Sequence, residues 1–128
     1  MLTQPILGTI LVKLSNYYLF KLSLSETFGQ NTQPEGYEIH DMWKLVVHKN
    51  GYQNMGKLLS YMEERRRNQD RWIGAIKSGK TPMHFIYGPS DPINPPPFDS
   101  YYKEIIINAS IDSLDGIGHW PQIEAPKQ

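Results

Sequence analysis

The chain has 128 residues, 39% of them hydrophobic and 20% charged, which is enough for one globular domain with a hydrophobic core. Its 13 basic and 13 acidic side chains cancel. The sequence therefore lacks the basic excess that neutralises phosphates, and we expect no nucleic-acid partner. It contains no cysteine, which excludes disulfide bonds and zinc sites built from thiolates.

The first predicted element is a helix over residues 5–24. Apolar side chains recur there at spacings of three and four, which is typical of one buried helix face. Polar residues, Lys13 and Lys21 among them, interrupt the stretch. A soluble helix is therefore favoured over two alternatives, a helix attached to a membrane surface and a spanning or signal segment.

Two more helices are predicted before residue 80. A polar loop over residues 25–33 leads into the first, at 34–49, which ends at Lys49-Asn50-Gly51, a typical stop signal. The second covers residues 54–77 and contains the charged run EERRR at 63–67. We interpret this run as a solvated helix face with acid–arginine pairs, with a nuclear-targeting or anion-binding patch as the alternative.

Residues 74–81 match the phosphate-loop pattern G-x-x-x-x-G-K-[ST]. Such a loop binds phosphate when a strand precedes it and a helix follows, because the loop amides and the helix N-terminus then point at the phosphates. Here a predicted helix precedes the motif, and Pro82 with a β-rich run follows it. The order is reversed, so we interpret the motif as a helix end followed by a turn.

Residues 80–128 predict two strand–loop units of α/β type. The apolar run 83–87 ends at Gly88, and the loop after it carries Asp91. A short helix over residues 98–107 then leads to a second strand near 111–114. The loop after that strand carries His119. In a parallel sheet, ligand-handling residues lie beyond the carboxyl ends of the strands, where these two residues are expected.

Asp91 and His119 are the candidate catalytic residues. An acid that binds one imidazole nitrogen leaves the other free to act as a general base. Taken singly, Asp91 could instead cap a turn and His119 could be structural. Asp112 and Asp115 are rival acids, but from the strand leading to His119 they reach back to its ring less easily.

The remaining histidines, His40, His48 and His84, do not form a metal-ligand set. His40 and His48 are eight residues apart on one predicted helix, and His84 is on a strand. We therefore expect no metal and no cofactor.

The two loops resemble those of α/β-hydrolases. The acid loop over residues 87–95 reads YGPSDPINP, and the histidine loop over 118–126 reads GHWPQIEAP, similar to a G-H-x-P-x-x-E-x-P pattern. Residues 40–43, 66–67 and 71–75 are similar to the helical cap of the mesoderm-specific transcript protein family, in the branch that resembles epoxide hydrolases and haloalkane dehalogenases. The likeness extends from Leu2 to Pro126.

This resemblance implies a fold and an activity. It implies an α/β C-terminal fragment of the hydrolase fold, with a helical cap at residues 1–79 and, at 80–128, two parallel core strands joined by a helix. The reaction implied is hydrolysis of a small apolar ester, epoxide or carbon–halogen substrate, and the location implied is the endoplasmic reticulum membrane. The oligomeric state stays undetermined.

One triad member does not occur in the sequence. There is no Gly-x-Ser-x-Gly elbow, and no aspartate stands at an equivalent strand-to-helix turn. We therefore expect the 128 residues to be part of a longer chain and to be inactive alone, with poor stability in isolation. The alternative is a non-catalytic protein that keeps a hydrolase-derived fold to bind a ligand or partner.

Overall fold

A computed structural model describes residues 16–79 and 81–128 of the chain. These residues divide into two compact units, one formed by residues up to 22 with 35–69, the other by 23–34 with 70–128. Lys80, in the match to the phosphate-loop pattern, and most of the predicted helix 5–24 lie outside the described residues. Within them, no helix combines the length and the apolar character needed to cross a membrane.

The first unit is helical. Helix α1 runs from Tyr17 to Ser25, the last part of the predicted first helix. Helix α2 runs from Gly36 to Val47. Its start is stabilised because the Glu38 carboxylate accepts the amide of Glu35 at 2.8 Å and interacts with the positive end of the helix dipole.

The end of α2 differs in detail from the expected glycine stop. Lys49 and Asn50 adopt the left-handed backbone conformation, with φ of 48° and 61°, inside a 3₁₀ segment from His48 to Asn54. Gly51 serves a different purpose, since a Cβ there would lie 2.8 Å from the Val46 carbonyl oxygen. The stop signal was correctly placed, but its glycine is required for close packing.

The predicted third helix, 54–77, is broken. Helix α3 runs from Met55 to Leu58, and helix α4 begins at Tyr61 and ends at Lys77. The carbonyl of Ser60 accepts the amides of Glu63 and Glu64, so a new helix begins there. The two acids in its first turn favour this start because they interact with the helix dipole.

The second unit contains the two predicted strands. Strand β1 runs from His84 to Tyr87, helix α5 from Phe98 to Ile105, and strand β2 from Ser110 to Ser113. A short helix α6 follows from Pro121 to Glu124. The strands pair in parallel, with His84 opposite Ser110 and Tyr87 opposite Ser113. The α/β class and the helix between two parallel strands are therefore confirmed.

One face of β1 packs on α5 through aromatic rings. Phe85 and Tyr87 point to the same side of the strand because side chains alternate along it. The ring centroid of Phe85 lies 5.0 Å from that of Tyr102 and 5.8 Å from that of Phe98. Tyr87 is 3% exposed. This packing fixes the strand whose end leads to Asp91.

Candidate active site

The candidate site lies beyond the carboxyl ends of the two strands. Because β1 and β2 are parallel and in register, the loops that leave Tyr87 and Ser113 start side by side. The amide of Ser90 donates to the carbonyl of Ile117 at 2.9 Å, which joins the loops directly. A Cβ on Gly88 would lie 2.1 Å from the carbonyl oxygen of Gly118, so the contact requires glycine.

This contact brings Asp91 and His119 together. The Nδ1 atom of His119 lies 2.8 Å from the Oδ2 atom of Asp91. The Asp91 side chain is 7% exposed and the His119 side chain 31% exposed. The acid is therefore enclosed, while the imidazole reaches the surface.

Asp91 is held as a charged acceptor. Its carboxylate also accepts the amide of Ile93 at 2.7 Å and the side-chain amide of Asn94 at 3.0 Å. Burial alone would raise the pKa of Asp91, but the hydrogen bonds from His119, Asn94 and Ile93 outweigh it and lower the pKa below its ordinary value. The group is thus ionised at neutral pH.

The ionised acid decides which imidazole nitrogen carries the proton. A carboxylate only accepts hydrogen bonds, so the Nδ1 atom of neutral His119 must donate to Asp91. The Nε2 atom then holds a lone pair and can accept a proton. The ring of Trp120 stands edge-on to the imidazole, with ring centroids 5.2 Å apart.

The rival acids lie elsewhere. Asp112 contacts a different histidine, with its Oδ2 atom 3.0 Å from Nε2 of His84, and Nδ1 of that ring lies 2.7 Å from the hydroxyl of Ser110. Asp115 is exposed on the loop between β2 and His119. Among the described residues, no group of three or more acids, histidines or cysteines could hold a metal ion.

A second carboxylate, that of Glu124, binds the backbone on both sides of His119 and was not predicted from the sequence. The Oε2 atom of Glu124 accepts the amides of Gly29 at 2.8 Å and Gly118 at 2.9 Å, and its Oε1 atom accepts the amide of Trp120 at 3.0 Å. The hydroxyl of Thr32 also donates to Oε2. Glu124 thus joins the histidine loop to a segment more than 90 positions away in sequence.

The surroundings of Glu124 keep it charged. Burial alone would raise its pKa, but the hydrogen bonds from the Thr32 hydroxyl and from the amides of Gly118, Gly29 and Trp120 outweigh it and lower the pKa. The glutamate of the GHWPQIEAP sequence was the available signal. Nothing in the sequence indicated that residues 29–32 would contact it.

That segment, residues 27–32, makes further contacts around the histidine. The carbonyl of Thr27 accepts the amide of His119 at 2.8 Å. The Thr27 hydroxyl accepts the indole N–H of Trp120 at 2.7 Å, and the ring of Phe28, 4% exposed, stacks on the same indole. These residues all belong to the second unit. The predicted polar loop is thus part of the site.

Comparison with known proteins shows which proteins the chain is similar to. No protein-family model and no solved structure matches it. It is 39% identical over 123 residues to the mesoderm-specific transcript protein of Mus musculus, an alignment that covers 94% of this chain and 37% of that protein. With the Homo sapiens homologue the identity is 38%, with the same coverage. The chain is a homologue of the mesoderm-specific transcript proteins.

A more distant relative carries a hydrolase name. LipZ of Mycobacterium tuberculosis, assigned to the hydrolases provisionally by its name, is 30% identical over 121 residues, covering 94% of this chain and 42% of LipZ. The predicted resemblance to the mesoderm-specific transcript family, within a hydrolase-related group, is therefore confirmed. The chain spans about two fifths or less of the length of these relatives.

Proposed function

We propose that this chain supplies the acid–histidine pair of an α/β-hydrolase. The observation that carries the proposal is the 2.8 Å contact between Nδ1 of His119 and Oδ2 of Asp91, with the acid enclosed and the imidazole partly exposed. Acid–base catalysis needs this arrangement, since it fixes the ring, sets its tautomer and leaves one nitrogen free. The homology to a protein with a hydrolase name supports the same class.

His119 is the general base in this proposal. Its Nε2 atom takes a proton from a nucleophile or from the hydrolytic water, which would attack a small apolar ester, epoxide or carbon–halogen substrate. The positive charge that forms on the imidazole is stabilised by the ionised Asp91, which stays unprotonated throughout. Nε2 then donates the proton to the leaving group or, when water cleaves a covalent intermediate, to the nucleophile that is released.

The proposal also assigns a part of the hydrolase fold to each half of the chain. In this proposal, residues 1–79 correspond to the helical cap of a hydrolase, and residues 80–128 correspond to part of the hydrolase core with the acid and histidine loops. Two of the hydrogen bonds that Glu124 accepts, from Gly29 and Thr32, come from the cap part. This part of the cap, residues 23–34, belongs to the same compact unit as the histidine loop and would influence which substrate enters.

The nucleophile is supplied from outside these 128 residues in this proposal. The sequence contains no Gly-x-Ser-x-Gly elbow. Ser110, although hydrogen-bonded to a histidine, starts β2, whereas His119 follows the strand's other end. The length of the strand, roughly 10 Å, separates this hydroxyl from the site. The relatives are much longer than this chain, which leaves room for a nucleophile elsewhere.

A substrate panel tests the proposal. The gene product, tagged and purified in the form in which its own cells make it, is assayed with p-nitrophenyl butyrate, styrene oxide and 1-bromohexane. The isolated 128-residue chain is assayed in parallel. We expect the native product to hydrolyse one of the three and the isolated chain to hydrolyse none. His119→Ala should lower turnover by about 100-fold or more, while His48→Ala, at an exposed position, should not.

Three results would contradict the proposal. Turnover that persists in His119→Ala would show that another group is the base. No turnover of any substrate, in a native product that binds one of them, would favour the non-catalytic binding protein instead. Turnover by the isolated chain that depends on His119 would place the nucleophile within the 128 residues.

A further inference from the structure

The backbone around His119 is held at three consecutive amides. The amide of Gly118 donates to Oε2 of Glu124 at 2.9 Å, and the amide of Trp120 donates to Oε1 at 3.0 Å. The amide of His119 itself donates to the carbonyl of Thr27 at 2.8 Å. One carboxylate therefore holds both neighbours of the histidine, and residue 27 holds the histidine backbone.

The carboxylate of Glu124 is itself oriented by two donors from the segment 27–32. The amide of Gly29 donates to its Oε2 atom at 2.8 Å, and the hydroxyl of Thr32 donates to the same atom. A Cβ on Gly29 would lie 1.9 Å from the carbonyl oxygen of Gly116, so the approach of this segment depends on glycine. Glu124 is thus fixed by donors from both loops, and a displacement of either loop would change its contacts with the other.

Four donors on one carboxylate require an acceptor with two oxygens and a negative charge. A glutamine at this position keeps the shape but offers one oxygen, and its NH₂ group would face an N–H donor. The charge is stabilised in place, because the four hydrogen bonds outweigh the burial that would otherwise raise the pKa of Glu124. The site therefore requires the charged carboxylate of glutamate, which a neutral side chain of the same volume does not replace.

We propose that Glu124 is a positioning residue for His119, with the Thr32 hydroxyl and the Gly29 amide orienting its carboxylate. Its carboxylate is hydrogen-bonded to the amides on either side of the histidine and not to the imidazole. It fixes the backbone on either side of the histidine so that Nδ1 stays in line with Asp91. The inference rests on the proposed function, because it assigns Glu124 a role only if the Asp91–His119 pair is the catalytic one.

Nitrogen-15 spectra of the histidine rings test this inference, since the two ring nitrogens have different shifts when one of them holds the proton. In the wild-type chain at neutral pH we expect His119 to be protonated at Nδ1. In Glu124→Gln its two nitrogens should move toward the averaged values of exposed His48, which serves as an internal reference. Glu104→Gln, an exposed glutamate on α5, is the matched control and should leave the spectrum unchanged.

A second pair of variants covers the case in which Glu124→Gln fails to fold. Thr32→Val removes the hydroxyl donor, and Thr32→Ser retains it. We expect the valine variant to shift His119 in the same direction as Glu124→Gln, and the serine variant to restore the wild-type spectrum. The His84 ring, which contacts Ser110 and Asp112 across the two strands, reports in each spectrum whether the sheet is intact.

The outcomes separate the two claims. An unchanged His119 spectrum in Glu124→Gln, with His84 signals as in the wild type, overturns the positioning role. The same holds if His84 is perturbed in Glu124→Gln and Thr32→Val has no effect on His119. If wild-type His119 shows no preference for a proton on Nδ1, the Asp91–His119 pair, and with it the proposed function, is wrong before any variant is considered.

Discussion

The imidazole of His119 and the carboxylate of Asp91 meet at 2.8 Å although 28 positions separate them in sequence. The contact depends on the register of two short strands and on a hydrogen bond of 2.9 Å between the amide of Ser90 and the carbonyl of Ile117. The pair is therefore a product of the backbone arrangement, and its geometry should respond to changes in either loop.

Removal of the acid should destabilise the second unit. Asp91→Ala leaves the donors of His119, Asn94 and Ile93 without their acceptor. Because such donors lose a charged partner in a mostly enclosed position, we expect the free energy of unfolding to fall by about 2–3 kcal/mol. Urea titration followed by circular dichroism measures the change. Asp115→Ala, at an exposed rival acid, should change it by less than about 0.5 kcal/mol; equal losses would contradict the assignment.

Low pH should lower the free energy of unfolding, because Asp91 and Glu124 then bind protons. The pKa of each is lower in the folded chain than its ordinary value. The unfolded chain therefore binds protons more readily, so the stabilisation is present above about pH 4 and is lost as the pH falls through the lower folded pKa values. Urea unfolding at several pH values between 7 and 3 should show this loss. In Glu124→Gln the free energy of unfolding should fall less steeply as the pH is lowered. The same pH dependence in the variant and the wild type would contradict the prediction.

Alanine substitutions at two glycines should change the stability in opposite directions, because only one of these glycines lies where the two loops meet. Gly88→Ala places a methyl group 2.1 Å from the Gly118 carbonyl oxygen, which the backbone must move to relieve, so we expect a loss of about 2 kcal/mol or more. Gly74→Ala, in helix α4 with nothing within 4 Å, should instead stabilise by up to about 1 kcal/mol. Thermal unfolding of the two variants compares them directly, and a neutral Gly88→Ala would show that the loops can separate freely.

The phenol of Tyr87 should also contribute to the acid loop. Its hydroxyl donates to the carbonyl of Asn94 at 2.9 Å, across the loop that carries Asp91. Burial, with the nearby charges of Asp99 and Asp91, raises the pKa of Tyr87, so the phenol keeps its proton at neutral pH. Tyr87→Phe should cost about 1 kcal/mol. Tyr101→Phe, at a residue 51% exposed, is the control and should cost little; equal effects would argue against the bond.

Much of this site could be predicted from the sequence because its residues follow strand ends. The apolar run before Gly88 predicted a strand, and parallel strands bring the loops after them to one edge, so the sequence alone indicated that Asp91 and His119 lie close together. The break at Ser60 was not predictable in this way. Helical spacing of apolar residues continues across it, and the local hydrogen bonds that end one helix and begin another leave no periodic signal.

The role of Glu124 could not be predicted for a different reason. Its partners Gly29 and Thr32 lie 95 and 92 positions away, in a loop with no periodicity to indicate which way it faces. Gly118 is a similar case. The left-handed residue of the histidine loop is Gly116, with φ of 79°. Gly118 is required because a Cβ would lie 2.5 Å from the Thr27 carbonyl oxygen.

The central claim is that Asp91 holds Nδ1 of His119 and leaves Nε2 as a free base. The most direct measurement is the nitrogen-15 spectrum of the His119 ring in the wild-type chain, in Asp91→Ala and in Asp115→Ala. We predict a proton fixed on Nδ1 in the wild type and in Asp115→Ala, and nitrogens averaged toward the values of exposed His48 in Asp91→Ala. A His119 spectrum that is the same in all three proteins would contradict the account.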